Sequence, residues 1–261
     1  MKYGICILGV CPIFKSAHAW GEIVNQLLFG ETFEVLESEK NFAKIRSSHD
    51  HYEGWIDYRQ AEAIHVDEFT TLSERLHPVI ADAAGVIVRQ GCEYPVVRGG
   101  TLPHYHDGRF TIGTREYRFA GQTFMPKPAP IDSTQLIKIA RSYLNSPYQW
   151  GGRSPFGIDC SGFVQVVFKC FGVHIRRDAW QQAEQGEEIP DPQDVRPGDV
   201  ATFKSIDGTI YHAGLLLSQD QIIHASSQVR IDRFDPHGIY SEKEQRYTHN
   251  VLSIRRMAEI R

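Results

Sequence analysis

A cysteine stands at position 160, directly after an aspartate and directly before an apolar run, in the stretch GIDCSGFVQVVF that covers residues 157–168. The spacing predicts a helix beginning near Asp159, with Phe163, Val164, Val167, Phe168 and Phe171 as its buried stripe and Gly172 as its terminator. A thiol in the first turn of a helix feels the positive end of the helix dipole and the unpaired N–H groups there, which favour thiolate over thiol. Ser161 and Gly162 are small, so a substrate carbonyl can come close, and the same N–H groups can donate to an oxyanion.

Thiol chemistry of this kind needs an imidazole to accept the proton and return it to a leaving amine. His212, in TIYHAGLLL, interrupts an otherwise apolar strand, where a polar group without a partner costs about 1 to 3 kcal/mol. His224, in QIIHAS, sits likewise on the next strand. An antiparallel pair joined by the SQDQ turn places the two rings side by side, so that one can orient the other. Other readings of the same residues stand beside this one. Cys160 can be a small core residue, Asp159 a simple helix cap, and the two histidines satisfied structural groups. Cys160, His212 and His224 are also three potential zinc ligands, although their spacing follows no helical or hairpin ligand pattern.

The elements that must hold these residues fall into three stretches. Residues 1–65 read as short strands separated by turns: YGICILGV, TFEVLESE, FAKIRSS and EGWIDY. They suggest a small half-open barrel, with residues 20–29 (WGEIVNQLLF) open between a loop and a helical turn. Residues 75–126 repeat that style. The prolines of MPKPAP then mark a linker, and residues 127–261 form the third stretch. There Asp132 or Ser133 caps a helix whose Leu136, Ile139, Ala140, Tyr143 and Leu144 share one face, stopped by Asn145, Ser146 and Pro147. After the Cys160 helix come strands DVATFK, IYHAGLLL, QIIHAS and NVLSIRR. Helices followed by strands point to an α+β fold.

Composition narrows the function classes. Lys and Arg total 28 against 32 Asp and Glu, with no long run of either sign, which argues against nucleic acid or an anionic membrane surface as partner. No apolar run approaches the roughly 20 residues of a membrane span. The five cysteines form no C-x-x-C pair, so neither a disulfide framework nor a structural zinc site is indicated, and a reducing compartment fits. Cys6 and Cys11, five apart, are expected on opposite faces of a strand. The start MKYGICILGVCPIFKSAHAW loosely imitates a secretory signal, but Pro12 and Lys15 interrupt it, so the chain is read as cytoplasmic, with export as the alternative.

The blocks SPYQWGGRSPFGIDCSGFVQ, RDAWQQAEQG, RPGDVATF, YHAGLLL and IIHAS, in that order, resemble the signature blocks of the NlpC-type cell-wall peptidases, a papain-like cysteine peptidase family. With two SH3-like β-barrels ahead of it, the chain is similar to γ-D-glutamyl-L-diamino acid endopeptidases. The resemblance implies Cys160 as nucleophile, His212 as general base, His224 as orienting residue and Tyr148 as a hydroxyl that helps hold the oxyanion. It implies that Asp159 and Ser161 line the substrate site, with Asp159 meeting the free amine of a terminal L-alanine, and that Arg177 and Asp178 belong to a family block. Glu22 and Tyr52, in the first barrel, are the candidates for the acidic and tyrosine groups that related enzymes add from that module. Ala179 departs from the serine that related sequences can carry. The second barrel has no motif to match, so its expected role is to wall off the cleft.

The implied activity is hydrolysis of the bond between γ-D-glutamate and a diamino acid in a free muropeptide such as L-Ala-γ-D-Glu-diamino acid, by a monomer that requires no metal or organic cofactor. Two alternatives remain: the same fold exported and working on intact wall, or as an amidase or acyltransferase, and a wall-binding scaffold whose peptidase domain is inert.

Overall fold

Alternating apolar residues in the first sixty positions do form strands, and those strands join one sheet. In the computed structural model, which describes every residue except Met1, Pro128 and Ala129, these are β1 (Tyr3–Cys6), β2 (Val10–Phe14), β3 (Ile23–Leu28), β4 (Thr32–Glu39), β5 (Phe42–Ser47), β6 (Glu53–Asp57) and β7 (Ala61–Ala63). The sheet order is β3-β2-β6-β5-β4-β1-β7, around a core that includes Ile13, Leu27, Phe33, Ile45 and Ile56. The stretch left open between loop and helical turn is strand β3, because residues 23–28 pair antiparallel with β2. Cys6 and Cys11 lie on two different strands, β1 and β2, and both free thiols enter the same core. The opposite-faces expectation assumed one continuous strand, whereas a turn separates them.

A helix not anticipated from sequence, α1 (Val66–Glu74), follows. The next β segment comprises β8 (Val79–Ile80), β9 (Ala84–Arg89), β10 (Cys92–Val97), β11 (Arg109–Ile112), β12 (Arg115–Phe119) and β13 (Thr123–Phe124). It forms a four-stranded sheet ordered β10-β9-β12-β11 and a separate β13-β8 pair. Ile80, Ile87, Phe110, Tyr117 and Phe119 share one core with Ile5 of β1 and Phe29 of the turn after β3. The two β segments are therefore parts of one packing unit rather than free-standing bodies.

The chain divides into two such units, Met1–Pro126 with Trp150–Pro155, and Lys127–Gln149 with Phe156–Arg261. Residues 150–155, which the sequence assigns to the C-terminal segment, pack with the N-terminal unit instead. Part of the expected linker, Pro128 and Ala129, lies outside the described residues.

The second unit opens with α2 (Ser133–Arg141), whose cap Asp132 accepts hydrogen bonds from the N–H groups of Thr134 and Gln135. Leu136, Ala140 and Tyr143 are buried as expected, but Leu144 is 36% exposed, since the helix ends at Arg141 and the chain leaves the helical face. After β14 (Arg153–Ser154), which belongs to the first unit, come β15 (Gly157–Ile158), α3 (Cys160–Lys169), α4 (Ala179–Gln182) and β16 (Glu187–Glu188). Then follow β17 (Val200–Lys204), β18 (Ile210–Leu216), β19 (Gln221–Ser226), β20 (Gln228–Asp235), β21 (Gly238–Ser241) and β22 (Arg246–Arg256). Strand β22 pairs with both β17 and β21, so β17 to β22 close into a six-stranded antiparallel barrel, with β16 added on β22. Its core contains Phe203, Leu216, Ile222, Phe234 and Ile239.

Helix α3 is buried at every position, Gln165 and Lys169 included. The single apolar stripe read from its sequence understates this: α3 packs against α2 and α4 as well as against β18 and β19. Gly172 has φ of +77°, the left-handed geometry that ends a helix cheaply only in glycine. Among the described residues, no helix is long and apolar enough to cross a membrane.

Candidate active site

Asp159 caps α3 by accepting the Gly162 N–H at 2.7 Å, which fixes Cys160 as the first helical residue. The sulfur is nearly covered, with Cys160 at 4% exposure, and its S–H donates to the Tyr211 carbonyl at 3.8 Å. That contact sets the thiol against the β18 backbone at the residue just before His212. Burial first, and the Asp159 carboxylate second, push the thiol up to about 12, while backbone hydrogen bonds from Ala213 and Ser161 and the Arg177 charge pull the other way. The helix-terminus argument predicted thiolate; desolvation outweighs it here. Burial thus favours the thiol form of the resting sulfur.

β18 and β19 are antiparallel neighbours, with Leu215 opposite Ile223, and they bring both predicted imidazoles together. His212 Nε2 lies 2.8 Å from His224 Nδ1, and the other nitrogen of His224, Nε2, lies 3.0 Å from Asp232 Oδ2 on β20. Arg230 Nε donates to the same carboxylate oxygen at 2.8 Å. Gly214 makes this geometry possible, because a Cβ there would sit 2.8 Å from the Cβ of His224. Burial holds His212 well below the usual imidazole range, and the neighbouring His224 and His249 add to the shift. Burial lowers His224 too, partly offset by its hydrogen bond to Asp232. At neutral pH both rings are uncharged, so His212 is able to accept a proton.

The remaining predicted residues of this unit gather around the same turn. Arg177, itself buried, grips Asp159 with two nitrogens, Nη1 to Oδ1 at 3.0 Å and Nη2 to Oδ2 at 2.5 Å, and donates to Ser161 Oγ at 2.9 Å. Asp159 is thus cap and ion-pair partner at once, a role for Arg177 that its sequence block did not disclose. The Asp178 N–H donates to Gln181 Oε1, and Gln182 Nε2 donates to the carbonyls of Ser161 and Arg176, tying the RDAW block to the turn that holds Cys160. Tyr148 is held through its N–H to the Ser227 carbonyl. Burial, then the proximity of Cys160 and Asp159, raise its hydroxyl above the ordinary phenol, so it stays a hydrogen-bond donor.

Glu22 and Tyr52 belong to the first unit. Glu22 is exposed and accepts from Lys15 Nζ and from Trp150 Nε1, both at 3.0 Å; these bonds, Lys15 foremost, lower its carboxyl. Tyr52 is half-buried, and its N–H donates to Asp50 Oδ1. Nearby in that unit is a buried polar cluster that sequence reasoning missed. Arg153, fully buried, donates to Glu31 through Nη1 and Nη2 at 2.8 and 2.9 Å and to the Gln26 carbonyl at 2.6 Å. Burial would raise the Asp50 carboxyl, but the charges of Arg153 and His49 hold it below the usual range.

Three residues of the catalytic unit also escaped the sequence: Asp232, Arg230 and His249. The His249 ring lies 4.2 Å from that of His212 and stacks on Tyr211 at 5.7 Å. Burial lowers His249 to about 3. Among the described residues, His212, His224 and His249 are the set whose ligand atoms, all within 4.8 Å of one another, could hold a metal ion; Cys160 is not among them. The 2.8 Å His212–His224 contact and the engagement of His224 by Asp232 describe a hydrogen-bonded chain rather than converging lone pairs.

A buried thiol at a helix start, set beside two adjacent strands that each contribute one ring of a hydrogen-bonded imidazole pair, is the constellation expected of a thiol hydrolase. Residues 145–255 match the NlpC/P60 family, and residues 13–60 match the bacterial dipeptidyl-peptidase Sh3 domain. The chain is 35% identical to NlpC of Escherichia coli (strain K12) over 40% of its own length and 68% of that protein. It is 29% identical to the gamma-D-glutamyl-L-lysine dipeptidyl-peptidase of Bacillus subtilis (strain 168), over 78% of its length and 72% of the relative. Two other relatives are matched over only 32% of theirs. A crystal structure of an NlpC/P60 family protein from Bacillus cereus has the same fold, with a TM-score of 0.82 at 17% identity, covering 98% of this chain and 99% of that one. The chain belongs to the NlpC/P60 family, with a bacterial SH3 domain ahead of the peptidase fold.

Proposed function

We propose that this protein is a cysteine peptidase that hydrolyses the γ-D-glutamyl–L-diamino acid bond of short peptidoglycan stem peptides with a free N-terminal L-alanine. The observation that carries the reading is the thiol of Cys160 on the backbone beside His212, whose ring is hydrogen-bonded at 2.8 Å to His224. The name of the Bacillus subtilis relative supports the choice of bond. The chain acts on released fragments in the cytoplasm, and residues 75–126 serve as a second SH3-like module.

In this mechanism neutral His212 takes the Cys160 proton as the sulfur attacks the γ-carbonyl carbon. The oxyanion is met by first-turn N–H groups of α3 and by the Tyr148 hydroxyl. His212 gives the proton to the departing amine as the C–N bond breaks. It then deprotonates water, which hydrolyses the thioester and restores the thiol. Asp159 supplies a carboxylate for the substrate ammonium while Arg177 holds that carboxylate in place.

The test is incubation with L-Ala-γ-D-Glu-diamino acid, its N-acetyl form and polymeric wall, read by mass spectrometry. Release of the diamino acid from the free tripeptide is expected. The acetylated peptide should lose at least about tenfold in kcat/KM if the ammonium contact is worth about 1.4 kcal/mol. An intact free tripeptide refutes the activity, and equal rates refute recognition of the amine.

A further inference from the structure

The nucleophile and two rings do not account for Asp232, which meets the far side of His224. In the β19–β20 register His224 faces Arg230 and Ile222 faces Asp232, so Asp232 is the diagonal neighbour of His224 on one sheet face. We propose that Asp232 is a positioning residue of the hydrolytic reaction: it fixes the tautomers of both imidazoles and so leaves His212 Nδ1 as the nitrogen that receives the Cys160 proton. This inference rests on the peptidase reading given above.

The argument follows donors and acceptors along the chain. Asp232 Oδ2 lies 3.0 Å from His224 Nε2 and accepts from Arg230 Nε at 2.8 Å. Burial would raise the Asp232 carboxyl, but the hydrogen bonds from His224 and Arg230 and the Arg230 charge hold it below its ordinary value. It is therefore ionised at neutral pH and can only accept. The proton of neutral His224 must then sit on Nε2, which leaves Nδ1 as an acceptor. His212 Nε2, 2.8 Å away, must be the donor in that pair. One proton remains to each neutral ring, so His212 Nδ1 carries a bare lone pair. Without the Asp232 acceptor, His224 is free to hold its proton on Nδ1. That arrangement reverses the His–His bond, puts the His212 proton on Nδ1 and blocks it as a base.

The same carboxylate answers a second need. When His212 becomes imidazolium, it does so in a buried site beside two other imidazoles, and Asp232 supplies the negative charge at the end of the hydrogen-bonded chain.

The experiment combines kinetics with 15N NMR of the histidine rings in the full chain. In the wild type, both rings should show protonated Nε2 and unprotonated Nδ1; the opposite assignment overturns the proposal whether or not the tripeptide is turned over. Asp232→Leu, which removes the acceptor, should lower kcat by about 10²-fold with KM changed less than about twofold, and its His212 Nδ1 signal should move toward the protonated position. Asp232→Asn can keep an oxygen toward both donors, so its loss should be at least about tenfold smaller than that of Asp232→Leu. Arg230→Gln should leave the tautomers in place, whereas a role confined to the Arg230–Asp232 pair predicts the same damage from either partner. Wild-type kcat in a folded Asp232→Leu variant, or equal loss in both Asp232 variants with unchanged tautomers, overturns the proposal. If Asp232→Leu does not fold, the wild-type assignment and the Asp232→Asn kinetics decide. A wild type without tripeptide turnover would refute the peptidase reading alone, since the tautomers are read without substrate.

Discussion

Alkylation of the free enzyme measures directly whether Cys160 waits as thiol or thiolate. Its thiol is pushed from 9.0 to about 12, a rise of about three pH units, equivalent to about 4 kcal/mol against ionisation. At neutral pH the thiolate fraction is then about 10³-fold smaller than for an unshifted thiol. A more basic thiolate is intrinsically more nucleophilic, with a Brønsted slope of about 0.4 to 0.5, which returns a factor of roughly 20. The net expectation is alkylation about thirty- to sixty-fold slower than that of an ordinary exposed thiol. The molecule carries its own reference, because Cys92 is exposed and free while the other cysteines are buried. Iodoacetamide at pH 7.5, quenched over time and mapped by peptide mass, should label Cys92 well ahead of Cys160. The Cys160 rate should still be rising at pH 9. Faster labelling of Cys160 than Cys92, with a midpoint at or below neutral pH, would show a preformed thiolate–imidazolium pair and refute the general-base order of events.

Cys160→Ala should abolish tripeptide hydrolysis while leaving the far-UV circular dichroism unchanged; normal turnover would remove the mechanism. Arg177→Leu leaves the Asp159 carboxylate buried without its bidentate partner, so urea unfolding of the catalytic unit should show a loss of about 3 to 5 kcal/mol, and a loss below about 1 would count against the buried pair. Gly214→Ala drives a methyl into the Cβ of His224, and kcat should fall by at least about tenfold if that displaces the ring from His212; an unchanged kcat would show that the strand yields instead. The histidines also set an acid limit. His212, His224 and His249 titrate lower when folded than when unfolded, so below pH 6.5 the unfolded chain binds more protons and stability falls with pH until the folded values are passed. Each contributes a slope of up to about 1.4 kcal/mol per pH unit, and His249→Gln should flatten the dependence of the urea midpoint between pH 6 and 4. An identical slope in that variant would contradict its burial as a neutral ring.

The Cys160, His212 and His224 trio was legible because each residue breaks a pattern: a thiol between cap and apolar helix, and two imidazoles flanked by Ile, Tyr, Leu, Ala and Gly in their strands. Their approach followed from a short turn between antiparallel strands. Asp232 was not legible, since QVRIDRFD mixes charge into a strand where alternation is weak, and nothing local says that a carboxylate there faces a histidine eight positions back. The burial that opposes a Cys160 thiolate was not legible for a related reason: a helix terminus is visible in sequence, whereas the depth of burial depends on α2, α4 and the barrel packing around α3. Strand β3 was obscured by Asn25 and Gln26, polar residues buried in what would otherwise read as an apolar run.

Arg153 carries a consequence for how such a chain is inherited. By position it stands seven residues before Cys160, in the peptidase wording; by its hydrogen bonds it answers to Glu31 and Gln26, more than a hundred residues upstream. A recombination event that moved residues 127–261 to a new neighbour would strand a desolvated guanidinium far from any carboxylate prepared to receive it. Shuffling at the proline-rich junction is thus penalised at a place where no cut is made, and the two halves of the gene should travel together.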